Sequence, residues 1–441
     1  MFVYDVFNLK KIVSLLRSDN LLQLFYFLEE GNSRKEKYLP MVLLLGIIVC
    51  SVGFINQGFG LYFSSVISYQ LYLDPFISLL FNIVFITGGF FGNIIYNYTL
   101  HKYTYEWSVY LMYISSIIGW SLMCLIEVYE NEEIIFLICL FIGHFFIGLY
   151  VGISFNILPI IFHTILPSRW KYTAYSFPCF MINFSVGISF LLTVVFSWIL
   201  NSWFCLLFSI FGFIISLNLH VLLNVKDYFN VQHSNDEQVA MDHTAKKFNS
   251  LKCSKVLLLL SFFQAYLGPD FLLNNAQYMC STLATNTFLC HLNIILLLNI
   301  FLGIAIHFAH IIYGTWNLLI SAILSAMVFG IIYIQKISSV DPRILLPSTK
   351  LNILLIILSG AYSFGWAQLP YIILMYRSTQ QIIYNQYFLF EYFFTWWLSR
   401  FILAVVYHFS TQLWSFYSIC LYISVMHLLA CVTVIFHYFI S

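Results

Sequence analysis

Amide side chains stand out in this sequence because the runs that hold them are otherwise apolar: Asn56, Gln264, Asn274, Asn275 and Asn299 all lie in such runs, and Trp397 lies in another. An amide both donates and accepts hydrogen bonds, and an indole face covers C–H surface. The set therefore suits recognition of a small polyhydroxylated solute, with no bond made or broken. An amide in an apolar helix has a second use, which is to hydrogen-bond that helix to its neighbour. Residue type alone leaves both uses open.

Three ionisable side chains, Asp270, Glu391 and Arg400, sit in the same kind of run. Each costs a few kcal/mol in hydrocarbon, so each must face the protein interior or find a partner. Glu391 lies near the end of its run and reaches the interface. Asp270 and Arg400 pair with one another in one reading; in the rival reading Asp270 titrates and couples solute movement to protons.

Other chemistries find less support. The twelve histidines are scattered, His307 with His310 reads as packing, and all but Cys253 of the ten cysteines fall within or at the ends of apolar runs. Buried thiols are the ordinary reading, with a Cys280–Cys290 disulfide as an option that depends on close Cα atoms. No metal site, phosphate-binding loop, nucleophile motif or cofactor is expected, no cluster of His, Asp and Glu suggests an enzyme, and no nucleic-acid partner is implied.

The elements that must hold these residues follow from composition. The 441 residues are 61% hydrophobic, 20% aromatic and 8% charged, which excludes a soluble fold. A bilayer core about 30 Å thick needs roughly 20 apolar residues per helical crossing. Such runs recur at 41–64, 76–97, 108–126, 134–160, 173–197, 200–223, 254–280, 290–310, 315–335, 351–375, 386–408 and 412–438, so an all-α membrane protein of twelve spans in two blocks of six is expected. The many Phe, Tyr and Trp are mostly lipid-facing bulk and interface belt.

Four segments result: an N-terminal stretch (1–40) with an interfacial helix over 8–28, a first bundle (41–223), a polar linker (224–253) and a second bundle (254–441). Most of the 19 lysines and arginines fall on one side of these spans, whereas Lys336, Arg343 and Lys350 fall on the other. The positive-inside rule then puts the N-terminus and the linker in the cytoplasm. No cleavable signal peptide is evident.

One run carries more than apolarity: FIGHFFIGLYVGISFNILPII, from Phe141. Gly143, Gly148 and Gly152 line one side of a helix, where small residues let backbones approach closely. Asn156 and Pro159 add polarity that lipid does not tolerate unless it faces protein or a water-filled cavity. From Gly143 to Lys171 the segment resembles the fourth span and following inner loop of the sugar porter family of the major facilitator superfamily. The glucose facilitators read G-R-F-x-x-G-L-x-x-G there, then P, then E-x-x-P and a basic residue. Gly143, Gly148, Leu149, Gly152, Pro159, Pro167 and Lys171 keep that register, while His144 replaces the arginine and Thr164 the glutamate.

The resemblance extends along the chain. GFINQGFG is similar to the family's first-span G-Y-N-T-G segment, with Asn56 on the asparagine where proton-coupled porters have aspartate. SFFQAYLGPDFLLNNAQ resembles Q-x-x-Q-Q-x-S-G-I-N through Gln264 and Gly268, and Asn299 falls on the eighth-span asparagine. SFGWAQLPYI resembles G-P-G-P-x-P-W through Gly365 and Pro370, with Tyr371 for the tryptophan; FFTWWLSRFIL resembles S-N-W-x-S-N-F through Trp397, Ser399 and Phe401. Departures are equally plain. The basic inner loops after spans 2 and 8 are missing except for Lys102, and the segment after span 6 is absent. Cys179 or Met181 stands where a sugar-binding glutamine is expected, and Ser363 stands where the family has glutamate.

The resemblance implies the two-bundle major facilitator fold and facilitative transport of a hexose or similar solute by alternating access. It implies a substrate site of Gln264, Asn299, Trp397, Asn56 and Tyr371, with Asn274 and Asn275 nearby, in a monomer of the plasma membrane. The alternatives are a carrier of the same fold for another small solute, such as an amino acid or organic solute, and a sensor that binds solute without moving it.

Overall fold

The computed structural model describes residues 32–70, 75–102, 105–127, 133–165, 171–217, 254–267, 287–307, 315–338, 348–367, 369–372, 385–413 and 416–440. Within them lie twelve long helices: α1 (Asn32–Gln70), α2 (Pro75–Lys102), α3 (Tyr105–Leu125), α4 (Glu133–Ile165), α5 (Lys171–Val195), α6 (Trp198–Ser216), α7 (Ser254–Leu267), α8 (Thr287–His307), α9 (Thr315–Ser338), α10 (Ser348–Phe364), α11 (Asn385–Leu413) and α12 (Phe416–Ile440). Helix is the natural form for such runs, because in lipid every backbone polar group must be satisfied within its own segment. Among the described residues eight stretches are long and apolar enough to cross a membrane, one of them running through the break in the tenth span, and the described apolar stretches of α5 and α8 are shorter. This is a multi-pass membrane protein with the expected all-α architecture.

Two expected boundaries differ. The first span, expected from 41 to 64, belongs to a helix that begins at Asn32 and ends at Gln70. The bilayer sets only a minimum length, and the helix begins in a polar flank, NSRKEKY, ahead of the apolar run. The tenth, expected over 351–375, is a helix to Phe364, a turn over 365–367 and a short helical piece at 369–372. Pro370 has no N–H to continue the ladder. The chain instead turns through bonds from the Ala367 N–H to the Tyr362 carbonyl and from the Leu369 N–H to the Gly365 carbonyl. The interfacial helix at 8–28, the linker at 224–253 and the part of the seventh span beyond Leu267 lie outside the described residues.

Packing divides the helices by order. Among the first six, α2 and α3 pack on α4, α1 packs on α4, α5 and α6, and α3 packs on α6; among the second six, α8 and α9 pack on α10, α9 on α12, and α7 on α11 and α12. Adding six to each number turns α2·α4 into α8·α10, α3·α6 into α9·α12 and α1·α5 into α7·α11. The two sets of six share these parts of the packing pattern. They meet chiefly through α2 against α11 and α5 against α8, two contacts that the same renumbering interchanges.

The glycines of α4 explain its central place in the first half. A Cβ on Gly148 would strike the Phe85 carbonyl of α2, and one on Gly152 the Gly89 carbonyl; a Cβ on Gly143 would lie 3.1 Å from the Gly119 carbonyl oxygen of α3. One helix thus takes two neighbours at close approach, and the expected single glycine side is in fact two, because the five-residue step from Gly143 to Gly148 turns the helix by about 140°. Polar side chains bind the rest of this half together. The Tyr113 hydroxyl donates to the Val49 carbonyl at 3.0 Å, and that of Tyr150 to the Gly53 carbonyl at 2.6 Å.

Candidate functional site

Where the halves meet, a cavity of about 60 Å³ is lined by residues from six helical segments. The first half contributes Phe54 and Gln57 from α1, Phe155 and Pro159 from α4, and Pro178, Cys179 and Asn183 from α5. The second contributes Gln264 from α7, Ala367 and Tyr371 from the broken tenth span, and Phe393 and Trp396 from α11. Its apolar wall is continuous across the boundary between halves. The Phe155 ring lies 4.8 Å from Trp396 and 5.4 Å from Phe393, centre to centre.

The polar groups are set individually. Gln264 Oε1 accepts from the Tyr392 hydroxyl of α11 at 2.5 Å, which fixes the amide and leaves its Nε2 to donate elsewhere. Tyr392 is itself tied to α7, because Ser261 Oγ donates to its main-chain carbonyl at 2.7 Å. Asn183 donates from Nδ2 to the Cys179 carbonyl at 2.8 Å. Gln57 and Tyr371 are buried, and neither the Gln57 amide nor the Tyr371 hydroxyl has a hydrogen-bond partner among the described residues. Pro159 lines the cavity from inside α4 and has no N–H for the Phe155 carbonyl one turn back.

Of the residues expected from sequence, Gln264 and Tyr371 line this cavity. Asn56 does not: it is turned into the first bundle, where its Nδ2 donates to Ser116 Oγ of α3 and Ser209 Oγ of α6, each at 2.7 Å. Asn299 stands one layer back and donates to the Asn183 main-chain carbonyl across the α5–α8 contact at 3.2 Å, so it positions a cavity residue. Trp397 is fully buried against Gly89 of α2 and packs between the halves, while its neighbour Trp396 faces the cavity. Asp270, Asn274 and Asn275 lie outside the described residues. Arg400 is buried, with its guanidinium 4.7 Å from the centre of the Trp396 ring.

Sequence reasoning missed Gln57, Asn183 and Trp396. Two of the three adjoin a residue that was chosen. One step along a helix turns a side chain by about 100°, so a resemblance that fixes a segment can still select the wrong face. For Asn183 the signal was weaker, since the resemblance points to Cys179 or Met181 on that helix.

The remaining expected features also have places. Asn156 donates to Asn93 Oδ1 of α2 at 2.9 Å, which accounts for a polar residue in so apolar a run. His144 is buried with its ring stacked 3.8 Å from Phe81. Among the described residues no group of three or more His, Cys, Asp and Glu is placed to hold a metal ion, and Cys50, Cys124, Cys139, Cys179, Cys205, Cys420 and Cys431 form no disulfide. Cys280 lies outside the described residues, and with it the disulfide option.

No known family's sequence profile matches the chain, and no curated protein sequence does. Solved structures do. The chain is similar to the proton:xylose symporter XylE bound to 6-bromo-6-deoxy-D-glucose, with a TM-score of 0.68 and 14% identity over 90% of this chain and 95% of that one. The inward-open xylose transporter XylE from E. coli gives a TM-score of 0.64 at 13% identity over 90% and 96%. A bacterial homologue of the human drug peptide transporters PepT1 and PepT2 gives 0.56 at 12% over 90% and 96%. At these identities the likeness shows the fold alone, which is the twelve-helix fold of major facilitator superfamily transporters.

Proposed function

We propose that this protein carries a hexose or a similar small polyhydroxylated solute across a membrane by alternating access, without proton coupling. One observation carries the reading: amides and aromatic rings from both halves, Gln57 and Asn183 on one side and Gln264, Tyr371 and Trp396 on the other, converge on one cavity at their interface. Halves that rock about a central site, one of whose helices is broken beside it, have the architecture that alternating access needs. A cavity of about 60 Å³ holds a few waters, and a hexose enters as the halves part.

The lining also favours an uncharged solute. Among the described residues that line the cavity none is Asp, Glu, Lys or Arg. A charged amino acid, peptide terminus or organic anion would be buried there without a partner, at high cost. The likeness to a xylose symporter crystallised with a glucose derivative supports a sugar, as do the sequence segments around Gln264 and Gly143. The reading includes a cytoplasmic N-terminus and linker, a plasma-membrane location and a monomer.

The test is uptake of labelled D-glucose into proteoliposomes holding the purified protein, with no imposed gradient. Saturable uptake that falls about tenfold or more in Gln264→Ala is expected, since the variant removes one wall of hydrogen bonding. Absence of uptake by folded, inserted wild-type protein would reject the reading.

A further inference from the structure

Gln57 is treated differently from the other buried amides. Asn56, Asn93, Asn156, Asn183 and Asn201 each donate from Nδ2 to a protein partner. Gln57 is completely buried, it lines the cavity, and neither its Oε1 nor its Nε2 has a partner among the described residues. Nothing about the helix requires this. Asn56 shows that a neighbouring amide on α1 can be satisfied inside the bundle.

A buried amide without a partner destabilises a fold, so one kept on a cavity wall is accounted for by what enters the cavity. Water fills that role while the site is empty of solute. The Tyr371 hydroxyl, on the opposite half, is orphaned in the same cavity, and Gln264 beside it has its carbonyl oxygen engaged and its amine group available. Donors and acceptors therefore face one another across the boundary between the halves.

We propose that Gln57 is the specificity-determining residue of this cavity. Its Oε1 accepts from one hydroxyl of the solute and its Nε2 donates to the adjacent one, while Tyr371 and Gln264 hold the opposite edge. The assignment rests on the carrier reading above. It selects a solute with two neighbouring hydroxyls on one edge, because a primary amide matches one donor and one acceptor side by side. A solute so held links α1 to the second half, and its binding favours the state in which both walls are close.

Gln57→Met tests this. It keeps the length and flexibility of the side chain and removes both polar atoms. In proteoliposomes supplied with labelled D-glucose, the variant should raise KM about tenfold or more, and its thermal midpoint in detergent should hold or rise because an orphaned amide is gone. Against a series of monodeoxy-D-glucoses, one analogue that wild type handles about tenfold less well than glucose should be handled as well as glucose by the variant, since each change removes the same contact. Gln57→Asn, whose amide is drawn back by one methylene and no longer reaches the solute hydroxyls, gives the same readout if Gln57→Met does not fold.

Wild-type uptake combined with an unchanged KM and an unchanged analogue pattern in both variants overturns the assignment and leaves the carrier reading standing. A lowered midpoint with analogue discrimination intact also overturns it, since that marks a purely structural amide. Wild-type vesicles that move neither glucose nor any analogue overturn the carrier reading and this assignment together.

Discussion

Asn93 of α2 donates from Nδ2 to the main-chain carbonyl of Phe390 in α11 at 3.1 Å, while its Oδ1 accepts from Asn156 of α4 at 2.9 Å. The bond ties the two halves toward the end of α2 and the start of α11, on the side that the proposed orientation makes cytoplasmic. The neighbouring loop after α2 lacks the basic residues that the sequence resemblance leads one to expect. Here a neutral amide does the tying. Asn93→Leu removes the donor to the partly buried Phe390 carbonyl and the acceptor of the buried Asn156 amide, and should cost about 1–3 kcal/mol of stability. Spin labels at the inner ends of α2 and α11 should then report a longer distance distribution. An unchanged distribution would mean that the tie does not hold the halves together.

Gly89 and Trp397 make the second tie. A methyl on Gly89 would overlap the Trp397 indole, which is fully buried. Gly89→Ala should therefore lower the thermal midpoint and the uptake rate, with a cost of about 1–3 kcal/mol typical of an overpacked contact. Trp397→Phe added to Gly89→Ala makes room and should recover part of both. Equal losses in the single and double variants would show that the two residues do not press on one another.

Asn56 and Gln57 should separate cleanly. Asn56→Leu removes the donor to Ser116 and Ser209, which still bond one another and, through Ser209, the Cys205 carbonyl, so it should cost about 1 kcal/mol per bond lost. The KM for glucose should stay within about twofold of wild type in the protein that folds, because a change that touches no solute atom leaves binding alone. Thermal unfolding and uptake measured on the same preparation decide it, and a large rise in KM would put Asn56 back among the solute contacts.

Asp270 and Arg400 are proposed as an ion pair of the second half. Asp270→Lys should abolish surface expression, and the double reversal with Arg400→Asp should restore it, because the cost lies in an uncompensated charge and not in the sign of either residue. Failure of the double variant would break the pairing. The rival role for Asp270, coupling to protons, would appear as uptake that varies with pH. The carrier reading expects a flat profile.

Much of the architecture was legible without coordinates, and the reason is physical. Hydrocarbon leaves a backbone only the helix or the closed barrel, and an unbroken apolar run as long as Phe141–Ile161 fits the helix, so it declares both its form and its environment. Gly148 and Gly152 declare a close crossing because any Cβ there would meet the backbone of α2. Gln264 and Tyr371, singled out because the segments around them resemble a transporter family, do line the cavity.

The rotation of each helix about its own axis was not legible. Asn56 and Gln57 are equally polar, and Trp396 and Trp397 are identical; within each pair one residue faces the cavity and the other does not. About 100° separates such neighbours, and which of them turns inward is set by contacts with helices distant in the chain: Ser116 and Ser209 for Asn56, and Gly89 for Trp397. Length, apolarity and small-residue spacing are properties of a segment and are written in it. Which amide meets a solute is a property of the assembled bundle, and only the tertiary structure decides it.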